Sequence, residues 1–253
     1  MARRPKLLLL GGTGEARALA GQLSAGNLVQ VISSLAGRTE QPLLPDGDVR
    51  RGGFGGADGL RSFIQSESID AVIDATHPFA LQITCHARAA CAAAGVPLLR
   101  LHRQPWQPQP GDSWHSVTSA KAAAAQLPAR GRRVFLSIGR QDIAAFAERP
   151  GVWYLLRSVD SPTGDMRALP GHHLQARGPF ELDGEIELLR GYDIDCLVAR
   201  NSGGNATYAK LAAARALSLP VIMIARAPEQ DGETVSDVSG AMRWIADKFG
   251  AMG

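Results

Sequence analysis

The residues able to do chemistry fall at three places where an apolar run stops. Leu7-Leu8-Leu9-Leu10 gives way to Gly11-Gly12-Thr13-Gly14-Glu15-Ala16-Arg17, Val31-Ile32 to Ser33-Ser34-Leu35-Ala36-Gly37-Arg38-Thr39, and Ala71-Val72-Ile73 to Asp74-Ala75-Thr76-His77-Pro78-Phe79-Ala80. Glycines let backbone N–H groups approach an anion closely, and a helix that starts just after them points its positive end at the same place. The first cluster is therefore a candidate phosphate cradle, although the same glycines also build a tight βα turn that needs no ligand. Read from Gly12, the dinucleotide fingerprint G-x-G-x-x-G finds Arg17 where a third Gly or Ala belongs, which predicts a helix packed less closely on its strand.

The second cluster bears on which dinucleotide would bind. About 20 residues beyond the glycines, an NAD site carries an acid for the ribose hydroxyls. Here the strand ends in Ser33-Ser34 and the first charge is Arg38, beside Thr39. A guanidinium grips phosphate through two N–H donors, so the pattern predicts NADP(H) over NAD(H), the other reading of Arg38 being a solvated loop residue. In the third cluster His77 is titratable near neutral pH and stands beside a stiffening proline, which makes it a candidate proton donor. Asp74 has a second reading as the cap of the following helix.

The elements that must position these clusters alternate. An unbroken apolar run such as Leu7–Leu10 reads as a strand buried on both faces, as in a parallel sheet covered by helices. In such a sheet ligands lie outside the carboxyl ends of the strands, where all three clusters stand. Gln104-Pro105-Trp106-Gln107-Pro108-Gln109-Pro110 continues neither a helix nor a central strand and marks a crossing between domains. Beyond it strand patterns resume at Val134–Ile138, Val152–Arg157, His172–Arg177, Cys196–Ala199 and Leu219–Ile224, and a helix from Val238 to Phe249 closes the chain. Polar glycine turns follow two of these strands, at Gly139-Arg140 and Asn201-Ser202-Gly203-Gly204, where arginine, amide and backbone donors could surround carboxylates.

Composition bounds the rest. With 253 residues, 45% hydrophobic and 20% charged, the chain is ordinary for a globular protein of one large or two smaller domains. A net charge of +3 without a long Lys/Arg run argues against a nucleic-acid partner. No window reaches the roughly 18 apolar residues of a membrane span, and the four leucines after Lys6 are too few for a signal peptide, so a cytoplasmic location is expected. Cys85, Cys91 and Cys196 are odd in number and lack C-x-x-C spacing, which suggests buried thiols rather than disulfides or a zinc site. His172 and His173 are adjacent on a strand and so face opposite sides, which argues against a metal site.

Gly11-Gly12-Thr13-Gly14-Glu15-Ala16, Ser33-Ser34-Leu35-Ala36-Gly37-Arg38-Thr39, Asp74-Ala75-Thr76-His77-Pro78-Phe79-Ala80, Gly178-Pro179-Phe180 and Asn201-Ser202-Gly203-Gly204 together resemble, in order and spacing, the precorrin-6A reductases. The resemblance spans nearly the whole chain. It implies an α/β fold of two Rossmann-like parallel-sheet domains with a cleft between them, residues 1–104 binding the dinucleotide and 105–253 the substrate, the last helix packing on either. It implies NADPH as cofactor and a polycarboxylate tetrapyrrole, precorrin-6A, as substrate: hydride goes to one ring carbon and a proton to its neighbour, giving precorrin-6B in cobalamin biosynthesis. Neighbouring enzymes of that pathway are implied as partners, and nucleic acid and membrane are not. On the cofactor side it places Gly11, Gly12, Thr13, Gly14, Glu15, Ser33, Ser34, Gly37, Arg38, Thr39, Asp74 and Thr76. On the substrate side it places His77, Pro78, Phe79, Arg140, Gly178, Phe180, Asn201, Ser202, Gly203 and Gly204, with His77 as the catalytic residue. Arg200 stands where many members have lysine, which keeps the charge and changes its geometry. Two other readings remain: a different NADP-dependent oxidoreductase, which the spacing of Tyr208-Ala209-Lys210 does not favour, and an NADP-sensing protein without chemistry.

Overall fold

The structure, a computed structural model, describes residues 3–26, 28–37, 43–161, 169–228 and 231–250. The chain divides into two units, Met1–Gln104 with Glu229–Gly253, and Pro105–Pro228. Among the described residues, the first unit runs β1 (Lys6–Leu10), α1 (Gly14–Ala25), β2 (Gln30–Leu35), β3 (Asp48–Arg51), α2 (Ala57–Ser66), β4 (Ala71–Asp74), α3 (Leu81–Ala94) and β5 (Leu98–Leu101). The second runs β6 (Ser113–Val117), α4 (Ala120–Ala125), β7 (Arg133–Ser137), a 3₁₀ helix (Arg140–Phe146), β8 (Trp153–Ser158), β9 (Gly171–Gln175), α5 (Leu182–Gly191), β10 (Cys196–Arg200), α6 (Ala209–Ala216) and β11 (Pro220–Ile224). The chain then returns to the first unit with β12 (Glu233–Val235) and α7 (Val238–Phe249).

Each unit holds one six-stranded sheet, ordered β12-β5-β4-β1-β2-β3 in the first and β6-β11-β10-β7-β8-β9 in the second, and all pairings are parallel. The two orders are the same pattern: the strand that would extend each sheet in chain order is found in the other. β1 is buried on both faces, as its composition requires. Leu7 and Leu9 pack with α1 and α7, through Leu19, Leu23, Ala241 and Ile245, while Leu8 and Leu10 pack with Leu60 and Ile64 of α2 and Ala87 of α3. The last helix therefore belongs to the core of the first unit. In the second unit Phe135, Leu155, Leu197 and Val221 form the corresponding core against Leu189 and Leu211.

Two strands lie outside the sequence expectation, and both are edges. Ser113-Trp114-His115-Ser116-Val117 pairs only with β11 and is mostly half-exposed, so it carries no apolar run; β12 is three residues long. Burial pushes the thiols of Cys91 and Cys196 up to about 12, with Asp74 and Asp195 adding to the shift, so both stay protonated. No helix among the described residues is long and apolar enough to cross a membrane.

Candidate functional site

In the first sheet the strand order reverses between β1 and β4, so the crevice of an open α/β sheet opens at the ends of these two strands. The loops that leave them are joined there. Thr13 caps α1, its Oγ1 accepting from the Ala16 N–H at 3.1 Å, and the same hydroxyl donates to the Ala75 carbonyl at 2.8 Å. Gly12 has φ of 114°, which only glycine adopts without strain. A Cβ at Gly12 or Gly14 would meet nothing within 4 Å, so open space lies over the first turn of α1. The N–H groups of that turn have no partner inside the helix, and the macrodipole adds to their pull on an anion.

The fingerprint is met one residue earlier than the frame read from Gly12. A Cβ at Gly11 would sit 3.5 Å from that of Ala16, so Gly11 and Ala16 make the close helix–strand contact, and Thr13 occupies the middle position. Arg17 is exposed and bears on no packing, which corrects the expectation of a loosely packed helix. Glu15, in the first turn, is paired with Arg103 at 2.8 Å. Thr13, Glu15, Thr76, Pro78, Leu101 and Arg103 line one small, open pocket, which brings the first and third clusters onto one wall.

At the end of β2, Ser33 is buried, and its Oγ has no hydrogen-bond partner among the described residues. The Ser34 Oγ accepts from Arg50 at 3.4 Å, and its carbonyl accepts from the Gly11 N–H at 2.9 Å. Gly37 takes φ of 72°. Arg38 and Thr39 lie outside the described residues. Arg50, which the sequence reading passes over, lies 3.9 Å from the Phe54 ring centroid and donates to the carbonyls of Gly52 and Gly53 at 2.5 and 2.6 Å, fastening the glycine loop ahead of α2.

After β4, the Phe79 N–H donates to His77 Nδ1 at 3.3 Å, and the His77 carbonyl accepts from Ala80 at 2.7 Å. A neutral ring accepting at Nδ1 carries its proton on Nε2. His77 and Phe79 are half-buried, with ring centroids 5.9 Å apart, and Pro78 between them is buried. Asp74 does not cap α3, whose N-cap is Ala80; its carboxylate instead accepts from Thr76, Thr84 and Arg100.

In the second unit the order reverses between β7 and β10. Arg140 pairs with the buried Asp160 at 3.0 Å and keeps about a third of its side chain exposed, at 35%. Arg200 pairs with Asp142 and lies across Gly139, where a Cβ would come within 2.6 Å of its Nη1. Both Nε and Nη2 reach the same Asp142 oxygen, a fork that lysine could not make. The Gly178 and Asn201 turns adjoin: Phe180 N–H donates to the Ala206 carbonyl at 3.2 Å, and a Cβ at Gly178 would come within 2.7 Å of that oxygen. The Asn201 amide is committed at both ends to the backbone of Trp106, at 2.7 and 2.9 Å. Ser202 and Gly203 are buried behind it, and Gly203 and Gly204 take φ of 65° and 77°. Phe180 covers the guanidinium of Arg157 at 3.7 Å, which is itself paired with Glu185. Arg157 stands alone in an otherwise apolar strand, a signal that sequence reading could have used. His172 stacks on Tyr192, and His173 meets Ser158 at 2.9 Å; burial, and then His172, hold His173 below the usual histidine range.

With this geometry the chain can be set beside known proteins. The family model described as precorrin-6x reductase CbiJ/CobK matches residues 6–246. A precorrin-6A reductase of Rhodococcus erythropolis is 51% identical over 243 residues, covering 95% of this chain and 97% of that protein. A cobalt-precorrin-6A reductase of Priestia megaterium is 27% identical, covering 91% and 94%. The solved structure of a CobK precorrin-6A reductase superposes with a TM-score of 0.89 at 44% identity over 96% of each chain.

Proposed function

Because the chain belongs to the precorrin-6x reductase family, an oxidoreductase family of cobalamin biosynthesis acting on a CH–CH bond, we propose that it reduces precorrin-6A to precorrin-6B with NADPH. The metal-free macrocycle is the substrate proposed because the relative named for it is 51% identical, against 27% for the one named for the cobalt form. The observation that carries the reading is the Thr13–Ala75 bond, which sets the capped start of α1 and the His77 loop side by side at the switch point of the sheet. The test is loss of NADPH absorbance when metal-free precorrin-6A is added, repeated with NADH and with the cobalt complex. A protein that binds NADPH but never oxidises it would be a sensor and not a reductase. The reading includes a cytoplasmic location.

NADPH, when bound, supplies the hydride. The residues that would hold it are Gly11, Gly12, Thr13, Gly14 and Glu15 at the diphosphate, and Ser33, Ser34, Gly37, Arg38 and Thr39 toward the 2′-phosphate, with Thr76 on the shared wall. Their task is to bind, orient and exclude water. His77 holds a proton at Nε2 for delivery to the macrocycle, and Pro78 and Phe79 supply an apolar surface beside it. In the second unit Arg140, Gly178, Phe180 and the Asn201–Gly204 turn bind the ring carboxylates.

Three outcomes follow from these assignments. Gly14→Ala places a methyl in open space at a helical position, so the unfolding free energy should stay within about 0.5 kcal/mol of wild type. NADPH affinity should nevertheless fall roughly tenfold, about 1.4 kcal/mol. Gly12→Ala should lose affinity and, because of its positive φ, roughly 1–3 kcal/mol of stability as well. Calorimetry and thermal melts of the two variants separate a ligand cradle from a bare turn, since a bare turn leaves Gly14→Ala with full affinity. Arg38→Ala should weaken NADPH by roughly 10–100-fold and leave NADH nearly unchanged, because only NADPH carries the 2′-phosphate; equal losses in titrations of both would give Arg38 another task. Arg140→Ala should raise KM for the tetrapyrrole about tenfold or more, and an unchanged KM would remove Arg140 from the substrate site.

A further inference from the structure

Arg100 is the one charge in Leu98–Leu101, and it lies directly beside Asp74 in the parallel register of β4 on β5. Both face the same side of the sheet as Leu10 and Val72, the side on which α3 packs, so Thr84 of the first turn of α3 completes the group. All three are buried, Asp74 to 1% and Arg100 and Thr84 to 6% exposure. Arg100 donates to Asp74 Oδ2 and to Thr84 Oγ1, and Thr84 Oγ1 in turn donates to Asp74 Oδ2 at 2.7 Å. The other oxygen, Oδ1, accepts from the Thr76 N–H at 3.0 Å and from the Thr76 hydroxyl at 2.6 Å.

Four donors thus converge on one carboxylate. Two come from the core behind the loop and two from the loop itself. A buried ion pair is weak grounds for stability, since apolar residues of equal volume often serve as well. Here the carboxylate does something apolar residues could not: it fixes both the backbone and the side chain of Thr76, immediately before His77. From the opposite side Thr13 fixes Ala75. The direction in which the loop leaves β4 is therefore set twice.

We propose that Arg100 and Thr84 are positioning residues of the reductase, acting through Asp74 on the Thr76–Phe79 loop, and that Asp74 serves the cofactor only through Thr76. The inference rests on the reductase reading above. Its test is steady-state kinetics and NADPH titration of Thr84→Val, Arg100→Met and Asp74→Asn, with Thr84→Ser and Arg100→Lys as conservative partners. Thr84→Val keeps shape and the ion pair and removes one hydroxyl, so it reports even if Arg100→Met does not fold.

The expected result is a kcat lowered about 10–100-fold with a smaller rise in NADPH Kd, transmitted through Thr76, and with Thr84→Ser restoring most of both. Wild-type kcat per folded molecule in Thr84→Val would overturn the proposal, leaving the group a structural tie. A raised NADPH Kd at unchanged kcat would also overturn it, returning Asp74 to direct cofactor contact. Failure of the reductase reading is distinct, because the wild type itself would then leave NADPH unoxidised.

Discussion

His77→Ala should bind NADPH as tightly as the wild type and turn over about 10²–10⁴-fold more slowly. Reduction of a carbon–carbon double bond needs a proton as well as a hydride, and His77 has the geometry of a donor. Its Nδ1 is held by the Phe79 amide, which leaves the neutral ring's proton on Nε2, and its chain neighbours Thr76 and Pro78 line a pocket together with Thr13 and Glu15. The loss should lie in kcat, since the interaction matters only as the proton moves. Added imidazole should recover part of the rate, because the cavity left by the side chain admits it. Full turnover in His77→Ala would take the histidine out of the chemistry and make water the donor.

Glu185→Leu should cost about 3–5 kcal/mol of stability, read from the urea midpoint. Arg157 and Glu185 are both buried, at 8% and 3% exposure, and two guanidinium nitrogens of Arg157 meet the two carboxylate oxygens. Removing the acid leaves a cation with no counter-charge between the rings of Phe135 and Phe180. That is a large part of a typical total stability of about 5–15 kcal/mol. The double change Arg157→Met with Glu185→Leu should recover most of the loss, because the penalty belongs to the unpaired charge. A single change costing under about 1 kcal/mol would mean that water reaches the pair. The same substitution should raise KM for the tetrapyrrole, since the Arg157 guanidinium on which Phe180 rests would no longer be held by its carboxylate.

Much of this was legible in residue patterns, for reasons that differ by element. β1 could be read because burial on both faces demands an unbroken apolar run, and Leu7–Leu10 is one. The start of α1 could be read from Thr13 and the glycines, though the frame was misplaced by one residue: Ala16, not residue 17, meets the strand. The edge strands β6 and β12 escape such reading because one side of the pairing meets water and neither carries an apolar run. The partners of Asp74 and Glu185 escape it for another reason. A pattern shows that Arg100 and Arg157 are charges in apolar strands, but which carboxylate each meets is decided by the parallel register and by the helix packed above it. Arg103 and Arg50 are likewise unremarkable in sequence and acquire a role only once Glu15 and the Gly52–Gly53 carbonyls are brought to them.

The most direct measurement is a single reaction: the protein, NADPH and metal-free precorrin-6A, followed by NADPH absorbance and by the mass of the macrocycle. The account predicts that NADPH disappears in equal amount to the tetrapyrrole and that the product gains the mass of two hydrogen atoms, with NADH a much poorer donor. NADPH that binds and persists while the macrocycle keeps its mass would contradict it.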